Sequence, residues 1–170
     1  MAKIQLAKGL SVDAEEIASQ VVAALGMRGS GKSTVMTVIC EGLLAAKIQV
    51  IVLDYVGIHF GLRLKPDGKT PSPYQIPVLG GMHGDLSLLP EAGAVVAEAL
   101  AASGSSAVLD VSGLRKNARI RFATDFAEAF FDAKKRNPGP CFLLLEEAQR
   151  YVPQVIRFKG TGLERCLGAF

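Results

Sequence analysis

Gly26 to Ser33 reads G-M-R-G-S-G-K-S, a complete G-x-x-x-x-G-K-S string set between an apolar run, Val21 to Leu25, and a segment of helical character, Thr34 to Ala46. Few folds accommodate that order. The apolar run reads as a strand that hands over to a loop. The glycines let the loop turn successive N–H groups inward, and the helix that follows aims its N-terminus at the same point. Such a nest takes an anion. Gly26, Arg28, Gly29, Ser30, Gly31 and Thr34 would line it, Lys32 would set a point charge against the β- and γ-phosphates as a binding and catalytic group, and the Ser33 hydroxyl would ligate Mg²⁺. The expected cofactors are a nucleoside triphosphate, ATP, and Mg²⁺.

Strands and helices alternate around this loop. Lys3 to Leu10 reads as a short strand, and Ser11 or Asp13 as the cap of a helical turn through Glu15, Glu16 and Ile17. Helix Lys32 to Ala46 carries Val35, Val38, Ile39, Leu43 and Ala46 at spacings of three and four, a core-facing stripe. Gln49 to Asp54 is a buried strand ending in an acid, Tyr55 to Tyr74 a long surface loop, and Ile76 to Leu79 a short strand. Glu91 to Ala102 is an alanine-rich helix and Ala107 to Asp110 a strand closed by a second acid. Lys116 to Arg136 is a long helix with Ile120, Ala123, Phe126, Ala127 and Phe130 on one face, stopped by Asn137-Pro138-Gly139. This alternation predicts an α/β fold, a mostly parallel sheet with helices on both faces.

Cys141 to Glu147 reads C-F-L-L-L-E-E, an apolar strand that delivers two carboxylates at its C-terminal end, where open α/β sheets hold their ligands. One acid there completes the Mg²⁺ shell opposite Ser33, and the next orients and deprotonates water for attack on the γ-phosphate. The expected metal ligand is Glu146 and the expected catalytic base Glu147. The usual first acid is Asp, so Glu146 is one methylene longer than the pattern asks. Asp54 and Asp110 end their strands near the same edge and are expected to cap the turns that follow.

Several strings, in order, resemble the HerA-like subgroup of the HerA/FtsK ATPases, which are DNA-translocating motors of the RecA-like P-loop class. They are G-M-R-G-S-G-K-S-T, V-I-V-L-D with G-I-H-F-G-L-R, V-L-G-G-M-H-G-D, V-L-D-V-S-G-L and L-L-L-E-E-A-Q-R-Y-V-P-Q, from about Val21 to Gln154. The resemblance implies an ATPase that assembles as a homo-hexameric ring, threads duplex DNA and works beside a nuclease partner. Glu146 would occupy the Walker B aspartate position and Glu147 that of the catalytic glutamate. Residues 1–20 would form a lead-in and 21–170 the ATPase core. In the class, a γ-phosphate sensor strand follows the second acidic motif and inserts between the phosphate-loop strand and the Walker B strand, and the arginine finger lies further on. Since the chain stops at Phe170, with Gly162 to Phe170 starting a helix, the expectation is the N-terminal part of a longer motor, incomplete at its C-terminus and impaired in turnover.

Charge and cysteines add bounds. A net charge of +3 is too mild to argue for nucleic acid by itself. Lys134, Lys135 and Arg136 are expected to complement the end of a helix dipole, and Arg115, Lys116, Arg119 and Arg121 to form a solvated face. Three scattered cysteines fit buried positions in a reducing, cytoplasmic setting, and no stretch is apolar enough to span a membrane. His59 and His83 are isolated in sequence and suggest no acid–base pair. Two other functions fit the same loop: a small-molecule phosphotransferase, and a nucleotide-binding assembly module without turnover.

Overall fold

Strand β3 (Gln49–Asp54) is buried at all six positions, as expected of a central parallel strand covered on both faces. In the computed structural model, which describes residues 2–27, 29–74, 76–152 and 162–169, it is flanked in parallel by β5 (Ala107–Asp110) and β6 (Cys141–Leu145). The short β4 (Val78–Gly80) pairs with β5, giving the order β4-β5-β3-β6. The register sets Asp54 beside Asp110 and Leu53 beside Leu145, so β3, β5 and β6 bring the acids at or just after their ends to the same edge of the sheet.

Period-two alternation divides the core. Val50, Val52, Val108 and Leu144 face α2 (Lys32–Ala45), where Met36, Ile39, Cys40 and Leu43 are buried. Ile51, Leu53 and Leu109 face α3 (Gly93–Ser103) and α4 (Lys116–Arg136), with Phe122, Phe126 and Phe130 filling the layer. The expected α/β fold, a parallel sheet covered by helices on both faces, is what forms. Strand β5 and helix α4 have the limits the sequence predicts.

Three segments differ from expectation. The first is residues 21–25, which form no strand; Val21 and Leu25 are 101% and 90% exposed. Among the described residues β6 is the sheet's edge on that side, and no strand pairs with this apolar run. The second is the opening strand, which is a hairpin. Strand β1 (Lys3–Ala7) and β2 (Leu10–Asp13) pair antiparallel around Gly9, whose φ of +79° permits the tight turn. Asp13 then caps α1 (Ala14–Ser19), accepting from the Glu15 N–H at 2.9 Å. The third is the stretch after β3. A 3₁₀ turn, His59–Arg63, buries His59 and Leu62, and Leu64 bridges to Pro71. The Asp54 carboxylate draws this segment inward by accepting from the N–H groups of Val56, Gly57 and His59.

The hairpin docks on α2 through Ile4, which is 3% exposed. A methyl group at Gly42 would lie 2.6 Å from the Ile4 side chain. Alanine gains about 1 kcal/mol of helix propensity over glycine, whereas overpacking a core costs about 1–3 kcal/mol. Gly42→Ala is therefore expected to lower stability by up to about 2 kcal/mol in urea unfolding, and adding Ile4→Val should restore part of it.

The basic residues of α4 are engaged as a structural face. Arg136 pairs with Glu98, Lys135 with Asp132, and Lys134 donates to the Gln49 amide oxygen. Arg121 pairs with Glu91 and Arg119 lies over the Tyr55 ring. A short helix, α5 (Leu163–Ala169), packs on α4 where Arg165 meets Asp125 and Glu128.

Candidate functional site

The loop before α2 turns on glycines. Gly29 and Gly31 sit at φ +79° and +88°, left-handed backbone that side-chain-bearing residues rarely adopt, and Gly31 caps the helix with no side chain in the way. Gly26 lies close to the loop's far side, since a Cβ there would meet the Ser30 hydroxyl at 2.6 Å and oblige that side chain to turn away. The Lys32 ammonium curls back over the loop, donating to the carbonyls of Gly26 and Met27 at 2.9 and 2.8 Å. Arg28 lies outside the described residues. Ser30 and Thr34 are both exposed beside the loop.

Strand β6 brings the acids to this loop. The Ser33 hydroxyl donates to Glu146 Oε1 at 3.2 Å, a contact between residues 113 apart in sequence. Two oxygen donors set together suit a hard cation such as Mg²⁺, which takes oxygen ligands and is commonly shared with substrate phosphates. Among the described residues no group of three or more His, Cys, Asp or Glu side chains is placed to hold a metal by itself.

Glu146 has a second partner that sequence reasoning missed. Its Oε2 accepts from His59 Nε2 at 3.2 Å, with His59 1% and Glu146 12% exposed. The histidine reaches the carboxylate because the turns after β3 and β6 are neighbours in the sheet. The only sequence signal is a His shortly after a strand-ending Asp, which says nothing until strand order is known. His83 stacks on Phe60 with ring centroids 3.8 Å apart.

Glu147 follows at φ 55°, ψ 45°, a left-handed position, and its carboxylate accepts from the Gln149 amide. Below it, Tyr151 and Tyr55 meet edge to face at 5.7 Å, tying the turn after β6 to the turn after β3. Asp110 accepts from the Ser112 N–H and Asp54 from its own turn, so both acids serve as the turn caps expected of them. The cysteines are free, with burial pushing the Cys40 thiol up to about 12 and the Cys141 thiol to about 11, which suits inert packing groups.

A left-handed glycine loop opening a helix, set at the C-terminal edge of a parallel sheet with a carboxylate on the serine after the lysine, defines a P-loop NTPase. The family model for the central domain of the helicase HerA matches residues 7–76, a span that takes in the loop, α2, β3 and the His59–Arg63 turn. Across that span, less than half of the chain, the sequence is similar to the HerA central domain, and the match supports a HerA-like P-loop ATPase fragment. Glu146 and Glu147 lie beyond the matched residues. No curated protein and no solved structure gives a match. Among the described residues no helix is long and apolar enough to cross a membrane.

Proposed function

We propose that this chain binds ATP with Mg²⁺ at the Gly26–Thr34 loop and hydrolyses it, as the nucleotide-binding part of a motor that moves on or unwinds DNA. The observation that carries the reading is the Ser33 to Glu146 hydrogen bond, which unites the two motifs that the family shares. In this reading the N–H groups of Gly29, Ser30, Gly31 and Lys32 cradle phosphate oxygens, and Arg28 and Thr34 add further contacts to the nucleotide. The Lys32 ammonium exchanges its bonds to the Gly26 and Met27 carbonyls for bonds to phosphate. Ser33 and Glu146 hold the Mg²⁺. Bound there, the ion neutralises charge developing on the phosphates. Glu147 orients a water and takes its proton.

Residues 21–170 form the ATPase core in this proposal, with residues 1–20 as a lead-in hairpin. DNA as the track, a homo-hexameric ring, a nuclease partner and a cytoplasmic setting rest on the family. A nucleotide-binding assembly role without turnover is favoured by one feature, the Glu147 carboxylate being occupied by Gln149. Steady-state ATP hydrolysis with and without linear duplex DNA separates the two. Stimulation by DNA supports the motor, while nucleotide binding with no hydrolysis under either condition supports the assembly role.

A further inference from the structure

His59 and Glu146 form a matched pair, and the pair accounts for the longer acid at the metal position. We infer that His59 is a positioning residue for the metal carboxylate, and that Glu replaces Asp at residue 146 because only the longer side chain spans both Ser33 and His59. The inference rests on the nucleotide reading above and extends it to a residue with no assigned role.

The geometry divides the carboxylate between its partners. Oε1 faces the Ser33 hydroxyl and Oε2 the His59 ring, each at 3.2 Å. Removing one methylene draws the carboxylate back by about 1.5 Å, so an Asp reaches at most one of the two. The histidine is itself held from behind. Its backbone N–H donates to Asp54 Oδ2 at 2.7 Å, while Asp54 Oδ1 collects the N–H groups of Val56 and Gly57. Among the described residues its buried Nδ1 has no hydrogen-bond partner, so none of them competes on that side with Glu146 for the orientation of the ring. The result is a continuous line from a strand-end aspartate, through a buried turn, to the oxygen beside the phosphate loop. Groups that orient a metal ligand from behind typically alter metal affinity by about 10–100-fold when removed.

The test is binding of ADP with and without Mn²⁺, by calorimetry and by the Mn²⁺ electron paramagnetic resonance signal, on the full chain. His59→Ala is expected to weaken Mn²⁺ binding in the presence of ADP at least about tenfold and to leave ADP affinity in EDTA unchanged, which a merely destabilised fold would not do. His59→Gln, whose amide can still donate to Glu146, should recover most of the loss. Glu146→Asp should lose a similar factor, and adding His59→Ala to it should cost little more, the non-additivity of residues that act as a unit. Unchanged Mn²⁺ affinity in His59→Ala, or additive losses in the double variant, would overturn the pairing. If His59→Ala does not fold, Glu146→Asp decides, since full Mn²⁺ affinity there is incompatible with the inference. Indifference of the wild-type protein's ADP binding to Mn²⁺ would instead remove the metal reading itself.

Discussion

Lys32→Ala is expected to reduce ATP affinity by at least about 10²-fold, to the point where calorimetry detects no binding. Hydrogen bonds to charged groups contribute about 1.5–3 kcal/mol each, and the ammonium is placed to direct two or more of its three donors at phosphate. In the structure those donors are occupied by the Gly26 and Met27 carbonyls at 2.9 and 2.8 Å. The lysine is thus already folded over the loop, and binding exchanges partners without requiring a long side chain to be ordered afresh. Alanine also removes a side chain that ties the two ends of the loop together. The helix should be indifferent, because residue 32 opens α2 and alanine is a good helix former. Circular dichroism and melting temperature are accordingly expected to stay near wild type while binding disappears. Retained affinity would remove the loop from the mechanism.

The parts of this molecule legible in its sequence are those with local causes. Strand β5 and helix α4 are bounded by their own composition, and the Asp13 cap, the Asn137-Pro138-Gly139 stop and the turn-capping roles of Asp54 and Asp110 follow from residue chemistry over a few positions. The glycine turn before α2 was legible for the same reason, since the glycines that adopt left-handed backbone there lie close together in the sequence. What failed depended on neighbours. Residues 21–25 have a strand's composition, yet a strand exists only beside a partner, and among the described residues none pairs with them. Residues 55–74 have a loop's composition, yet Asp54 anchors their first turn, and His59 and Leu62 are buried. The pairing of His59 with Glu146 joins residues 87 apart through a strand order that no local pattern encodes.

Glu147 carries the second large effect, and its backbone makes the expected result specific. The residue sits at φ 55°, ψ 45°, where a side chain other than glycine's costs of order 1–3 kcal/mol and is tolerated when a site needs a group aimed in a set direction. Glu147→Gln keeps the size, the backbone conformation and that strain while removing the proton acceptor. It is expected to lower the hydrolysis rate about 10²–10⁴-fold with ATP affinity within a small factor of wild type, a separation read by steady-state turnover beside equilibrium binding. Glu147→Gly should abolish turnover to the same extent and differ in stability. The left-handed strain is relieved, against a more flexible unfolded chain, so unfolding free energy should stay level or rise by up to about 1 kcal/mol. A variant that gains stability as it loses activity marks strain held for function. Wild-type turnover in Glu147→Gln would show that the water is activated elsewhere, and a stability loss in Glu147→Gly would show that the Gln149 contact, not catalysis, holds the residue in its left-handed position.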